Sequence, residues 1–274
     1  MLANDAGSDL TITGFTQPAA GTVTRDGEQL VFTPAAGWSG IATFTYTSTD
    51  GSGFEVTANV TVTVFPKADA NVEVTSTGQA ITFDVLDNDA GTDLVVTFPT
   101  SPNGTFVVHE DGTVTFTPNP GYSGISTVIY TITDADGLTA TADVQITVNP
   151  TAADDAIVVE HNTATVITPL ANDNGMTLAI TGTTQPSHGT IVVNADGTIT
   201  YTPSTGYAGG DSFTYTVTDA DGLAATATVT IMVGASGLVV TGVDPSTGVL
   251  AALMLLLLGG GFIFFGKRRR TEDA

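Results

Sequence analysis

The chain has 274 residues, carries 28 acidic residues against six Lys and Arg, and contains no Cys. Four of the six basic residues stand together at 267–270, so residues 1–266 hold only Arg25 and Lys67 against 26 acidic residues, a net charge of −24. Such a surface excludes nucleic acid as a partner, because phosphate binding needs basic groups. The lack of Cys excludes disulfides, thiolate metal sites and Cys nucleophiles together. A chain this acidic repels itself unless cations neutralise it.

One unit recurs three times. The tetrapeptide around Asn4 (LAND), Asn88 (LDND) and Asn172 (LAND) repeats at 84-residue spacing. The aromatics Trp38, Tyr122 and Tyr207 follow in a Thr-Pro-x-x-Gly-aromatic turn, and Tyr46, Tyr130 and Tyr215 in the strand after it. The copies occupy residues 1–65, 66–149 and 150–235. The first is incomplete: copies two and three carry roughly 18 further residues before the Asn motif, from Ala68 and from Ala152, where copy one has Met1-Leu2-Ala3. With no signal peptide at the start, the chain is expected to be the C-terminal piece of a longer protein.

Each copy reads as β. In copy one, Asp26-Gly27 marks a hairpin between short strands, and Val56, Ala58, Val60, Val62 and Val64 alternate with polar residues along a last strand. Copy two repeats this with Asp111-Gly112 and with Ala140, Ala142, Val144, Ile146 and Val148. Copy three does so with Asp196-Gly197 and with Ala225, Ala227, Val229, Ile231 and Val233. Period two over ten residues predicts a half-buried strand, and abundant Thr suits the solvated face of a sheet. Copy three predicts seven strands, near Ala156, Thr163, Leu178, Gly189, Thr198, Asp211 and Leu223, the count of an immunoglobulin-like sandwich. The joints at Phe65–Asp69 and Asn149–Ala153 are short and contain Pro, which predicts a semi-rigid rod.

The segments DVLDNDAG at Asp84–Gly91, DGTVTFTPNPGYSG at Asp111–Gly124 and YTITDADG at Tyr130–Gly137, each echoed in copy three, resemble the bacterial cadherin-like or Ig-like tandem repeats of large surface proteins. The resemblance covers most of residues 1–235. It implies stacked domains of surface stalks and adhesins, frequent calcium binding in the broader class, and no chemistry.

In an up-and-down sandwich of seven strands, the start of the first strand and the loops after strands two, four and six share the pole that faces the preceding repeat. In copy two that pole carries Asp69, Asp87, Asp89, Asp111, Asp134 and Asp136; in copy three it carries Asp154, Asp155, Asp173, Asp196, Asp219 and Asp221. The candidate calcium ligands are Asp69, Asp87, Asp89, Asp134, Asp136, Asp154, Asp155, Asp173, Asp219 and Asp221, since Ca2+ takes six to eight oxygens. The alternative is turn chemistry, because Asp bonds its local backbone and Asp-Gly suits hairpins. Copy one has Asp50-Gly51-Ser52-Gly53 in place of the D-A-D-G of Asp134–Gly137 and Asp219–Gly222, and neither D-x-D-G is long enough for an EF-hand.

Catalysis is not expected. His109, His161 and His188 fall at unrelated places in their repeats, and the paired carboxylates recur with the period as structural residues do. Isopeptide cross-links need a buried Lys in each domain, whereas Lys67 sits alone in a linker.

The tail begins at Leu238-Val239-Val240-Thr241-Gly242, with a spacer to residue 248. The 18 uncharged residues 249–266 then span about 27 Å as a helix, enough to cross a bilayer core. Lys267-Arg268-Arg269-Arg270 follow, holding residues 267–274 in the cytoplasm and everything before Leu238 outside. This layout resembles the LPxTG-type sorting signals read by sortases on Gram-positive bacteria, with Val239 where that family has Pro. The resemblance implies attack by a sortase Cys on the Thr241 carbonyl, release of Gly242 onward, and transfer to an amine of a peptidoglycan precursor. Thr247-Gly248 lies against the apolar run and is the poorer substrate.

The expected fold is therefore all-β, tandem Ig-like (cadherin-like) sandwich repeats followed by one C-terminal transmembrane helix. The expected role is a cell-surface stalk or adhesin attached to the wall by a sortase, with repeats rigidified by calcium. The alternatives are a glycan- or protein-binding module, in which Trp38, Tyr122 and Tyr207 would be sugar platforms, and the anchor of a longer surface enzyme.

Overall fold

The computed structural model describes Leu2 and residues 5–235. The expected sorting motif Leu238–Gly242, the expected membrane-spanning run 249–266 and the basic tail lie outside the described residues. The described residues gather into two units. One is Met1–Ala152 with Asn172–Thr181 and Thr216–Thr226; the other is Ala153–Ala171, Gly182–Tyr215 and the chain from Ala227.

Among the described residues, nineteen strands and a short 3-10 turn at Pro169–Ala171 build the repeats. Repeat 1 holds β1 (Thr11–Phe15), β2 (Thr22–Asp26), β3 (Gln29–Thr33), β4 (Gly40–Thr49) and β5 (Glu55–Val64). Repeat 2 holds β6 (Asn71–Ser76), β7 (Ile81–Asp84), β8 (Val95–Thr97), β9 (Gly104–Val108), β10 (Thr113–Pro118), β11 (Gly124–Thr133) and β12 (Thr139–Asn149). Repeat 3 holds β13 (Asp155–Val159), β14 (Thr165–Ile167), β15 (Ala179–Thr183), β16 (Gly189–Val193), β17 (Ile199–Pro203), β18 (Gly209–Thr218) and β19 (Ala224–Val233). The seven strands expected in copy three are all present.

Their order is not up-and-down. Repeat 2 pairs β6-β12-β11-β8 in one sheet and β7-β10-β9 in the other, and repeat 3 repeats the scheme as β13-β19-β18-β15 and β14-β17-β16. The first strand crosses to lie parallel beside the last, with Asn71 opposite Val144 and Ser76 opposite Asn149, and Asp155 opposite Val229. Periodicity along the chain sets each strand's faces but is silent on this long-range partner. Thr113–Asp84 and Val114–Val108 pairings place β10 between β7 and β9, and the Asp-Gly turns close the β2–β3, β9–β10 and β16–β17 hairpins as the sequence predicts.

The two sheets of repeat 2 enclose a core of Phe83, Val85, Val96, Val114, Phe116, Val128, Tyr130, Ile132, Val144, Ile146 and Val148. Phe98 stacks on Phe106 with centroids 4.4 Å apart. Burying each such aliphatic side chain contributes about 1.5–3 kcal/mol. Repeat 1, the incomplete copy, shows among the described residues the sheet β1-β4-β5 and the pair β2-β3. Its last strand carries the right pattern without the burial, since Val56 is 53% exposed and Val60, Val62 and Val64 are only half-buried. A periodic apolar face needs a second element to cover it, and copy one has fewer strands to do so.

Ile146→Ala, at a fully buried site, is expected to cost about 2–5 kcal/mol in urea unfolding. Val72→Ala, on the exposed side of the neighbouring strand, is expected to stay within about 0.5 kcal/mol of the parent.

Candidate functional site at the repeat joints

The recurrent carboxylates reach their partners at the ends of the repeats, and the residues of both joints belong to the first unit. At the first joint, the Asp134 turn of repeat 2 meets the Ser39-Gly40-Ile41 segment of repeat 1. The Ser39 hydroxyl donates to Asp134 Oδ2 at 2.7 Å and accepts from the Thr92 N–H at 3.2 Å. The Ile41 N–H donates to Asp136 Oδ2 at 2.8 Å. Gly40 lies under this contact with φ 136°, and a Cβ there would stand 2.7 Å from Asp136 Oδ2 and 3.0 Å from the Trp38 ring. Only glycine accepts both the backbone conformation and the approach.

The second joint repeats the arrangement. The Ile125 N–H donates to Asp221 Oδ2 at 2.9 Å, and Gly124, with φ 134°, would place a Cβ 2.5 Å from the same oxygen. The Met176 N–H donates to Ser123 Oγ at 3.0 Å, as Thr92 does to Ser39. The linker is tied in as well: Thr151 and Asn174 exchange backbone hydrogen bonds of 2.8 and 2.9 Å, as Lys67 and Ala90 do at the first joint. One difference stands out: Asp219 Oδ2 is buried without a hydrogen-bond partner, where its counterpart Asp134 Oδ2 has Ser39.

Each turn is internally braced. Asp134 Oδ1 accepts from the N–H groups of Asp136 and Leu138, and Asp219 Oδ1 accepts from those of Asp221 and Leu223. Burial pushes the Asp134 carboxyl up, but the Ser39 hydroxyl and the N–H groups of Leu138, Asp136 and Gly137 outweigh it and hold it below the usual carboxylate range. Burial and the nearby Asp221 and Asp219 charges push the Tyr122 hydroxyl up.

Beneath the pole, Asp69 and Asp89 come together. Asp89 Oδ1 accepts from the Asp69 N–H at 2.7 Å. The buried Tyr130 hydroxyl lies 2.7 Å from the Asp69 carbonyl and 2.9 and 3.0 Å from the Asp89 oxygens, while Lys67 pairs with the Asp69 carboxylate. Burial and the Asp89 hydrogen bond push the Tyr130 hydroxyl far up. Asp87 is exposed and Asp173 half-buried. In the second unit, Asp154 Oδ1 accepts from the Thr228 N–H at 2.7 Å, and Asp155 opens β13 opposite Val229. Asp111 and Asp196 serve their own turns, held low by the side chains and N–H groups of Thr113 and Thr198.

The ten expected ligands thus divide into pairs and singletons. No three His, Asp or Glu side chains converge to share an ion among the described residues. At the joints, Asp134 Oδ2 accepts from the Ser39 hydroxyl, and Asp136 Oδ2 and Asp221 Oδ2 accept from the Ile41 and Ile125 N–H groups. The receiving residues, Ser39, Ile41, Ser123 and Ile125, are not among the sequence candidates, although Ser-Gly-Ile recurs at 84-residue spacing directly after the aromatic turn. Repeat 3 has Ala208-Gly209-Gly210 there, without the hydroxyl.

Residues 1–63, 65–147 and 148–232 each match the bacterial Ig domain family. A curated relative, Protein GAMETE EXPRESSED 2 of Arabidopsis thaliana, is 37% identical over 86 residues, which is 31% of this chain and 9% of that protein. Among solved structures, a glycoside hydrolase family 107 endo-fucoidan hydrolase aligns with 85% of this chain and 40% of its own at 19% identity and a TM-score of 0.27. The human desmocollin-1 ectodomain aligns with 86% of this chain and 57% of its own at 13% identity and a TM-score of 0.30. The chain therefore spans less than a tenth of its curated relative and well under two thirds of these structures.

Ser39→Ala leaves Asp134 Oδ2 buried and unpaired, and is expected to cost about 1–3 kcal/mol in urea unfolding of repeats 1 and 2 at neutral pH. Because the folded Asp134 carboxyl titrates below its unfolded value, its contribution is present above the unfolded pKa and is lost as pH falls through the lower, folded one. The penalty of Ser39→Ala should therefore shrink as the pH is lowered below the usual carboxylate range. A penalty unchanged with pH would contradict this account.

Proposed function

This chain belongs to the bacterial Ig domain family, and on that premise we propose that it is a cell-surface stalk of the adhesion type, whose repeats act as stacked structural modules and not as an enzyme. The observation that carries the reading is the recurrence of one joint. Asp136 on the Ile41 N–H and Asp221 on the Ile125 N–H are the same contact, made twice with the same glycine beneath it. A catalytic or ligand site has no reason to repeat with the domain period, whereas a device that restrains neighbouring repeats does. The aromatic turns support the same reading. Trp38 lies against the Gly40 contact and Tyr122 against the Gly124 contact, so both rings serve the joints and are poorly placed as sugar platforms. His188 is exposed and stacks on Tyr207 with centroids 4.1 Å apart.

In this proposal the stalk is fixed to the wall of a Gram-positive cell. Sortase cleavage falls between Thr241 and Gly242, after the membrane-spanning run 249–266 has held the precursor in place. Muralytic digestion of cells making the protein should release material ending at Thr241, and Thr241→Ala should shift it to the membrane fraction. Wild-type protein found only in the membrane would sink the sortase assignment while leaving the stalk.

The joints are stiffened here by carboxylate hydrogen bonds to neutral donors. A cation at the second joint is the alternative, favoured by the buried, unpartnered Asp219 Oδ2. Thermal melting of the protein in calcium and then in chelator discriminates between them. Equal midpoints are expected from hydrogen-bonded joints; a higher midpoint in calcium that Asp219→Asn abolishes would establish the cation.

A further inference from the structure

The two joints share one backbone but not one set of side chains. Lys67 and Ala90 exchange hydrogen bonds of 2.8 and 2.9 Å at the first, and Thr151 and Asn174 exchange bonds of the same lengths at the second. Pro66 and Pro150, one residue earlier, are both buried. Each lies against a glycine: a Cβ on Gly91 would stand 3.1 Å from Pro66, and one on Gly175 would stand 2.9 Å from Pro150. Yet Phe65, Lys67 and Asp69 occupy positions where the second joint has Asn149, Thr151 and Ala153. Because Thr151 makes the same bridge as Lys67, holding the joint requires neither the amine nor its carboxylate.

Lys67 is the only Lys in residues 1–266. Its side chain is 69% exposed and paired with the Asp69 carboxylate, and Phe65, two residues before it, is 64% exposed. The bridge to Ala90 uses the N–H and the carbonyl of Lys67 itself, so the amine is presented from a fixed backbone position. Exposure, which excludes a cross-link inside the domain, is what a reaction between separate chains requires.

We propose that Lys67 is an acyl acceptor, and that a sortase joins Thr241 of one copy of this chain to the Lys67 amine of a second copy. The inference rests on the sortase reading given above and adds to it a nucleophile and a partner. Asp69 takes one proton from the ammonium and passes it to water, which frees the lone pair on Nζ. The amine then attacks the thioester carbonyl of Thr241 held on the sortase Cys. The C–N bond forms as the C–S bond breaks, and the proton that the nitrogen then sheds goes to the departing sulfur. The products are an amide between Thr241 and Lys67 and a free sortase thiol, so the step needs no oxidant, reductant or further co-reactant. Phe65 gives the incoming acyl-enzyme an apolar contact beside the amine. Repetition of the step builds a covalent series of copies, and the last of them is passed to the peptidoglycan amine.

The test is to make the full chain in sortase-bearing Gram-positive cells, release it by muralytic digestion, boil it in detergent and run it on a denaturing gel beside Lys67→Arg. The wild type is expected to give a ladder at multiples of one copy, with tandem mass spectrometry finding Thr241 joined to Lys67 in a branched peptide. Lys67→Arg keeps the charge and the partner carboxylate but removes the nucleophile. It should lose the ladder while single copies ending at Thr241 still leave the wall, and its urea midpoint should match that of the parent. Wild-type wall material that ends at Thr241 without any ladder would overturn the acceptor role and leave the sortase reading standing. A ladder that persists in Lys67→Arg would overturn the acceptor role as well. Absence of any material ending at Thr241 would overturn both readings together.

Discussion

In repeats 2 and 3, the parallel pairing of the first strand with the last is the constraint on which the rest depends. It closes the edge of the longest strand and removes Val144, Ile146 and Val148 from water. It also brings Asp69 onto Asp89 over the Tyr130 hydroxyl. Because the pairing begins directly after the Lys67–Ala90 bridge, the linker is fastened to the pole from which the Asp134 turn reaches the preceding repeat. In repeat 1, where the described residues include no such strand, the same sequence pattern leaves the valines of β5 half-buried. One strand thus contributes to the core, the pole and the joint at once.

A chain with a net charge of −24 over its first 266 residues has to place its carboxylates where something offsets their repulsion. Arg25 and Lys67 are too few to do so. Neutral donors meet several of the carboxylates: backbone N–H groups at Ile41, Ile125, Leu138 and Leu223, and hydroxyls at Ser39 and Tyr130. Hydrogen bonds to an ionised acceptor are worth more than neutral ones, so each Asp that finds such donors becomes a stabilising contact. Three of the candidate calcium ligands, Asp134, Asp136 and Asp221, accept hydrogen bonds across a joint, while Asp219 Oδ2 is buried without a hydrogen-bond partner.

Much of this was legible beforehand. The 84-residue period, the seven strands of repeat 3, the Asp-Gly hairpins and the inward faces of β12 and β19 follow from alternation and turn chemistry, which are local properties. The pole was legible too, since consecutive strands reverse direction whatever their partners. Ser39 carries no mark of function in the sequence, because a Ser after an aromatic turn shows none until Asp134 of the next repeat arrives beside it. Likewise the valines of β5 look no different in sequence from those of β12.

By itself, then, the sequence determined the repeat unit, its all-β character, the faces of its strands and the end at which its carboxylates gather, because each depends on residues near one another in the chain. Tertiary structure alone decided that in repeats 2 and 3 the first strand lies parallel to the last, and that Asp136 and Asp221 meet the N–H groups of Ile41 and Ile125. These depend on partners tens of residues away, and nothing in a strand's own periodicity names its neighbour.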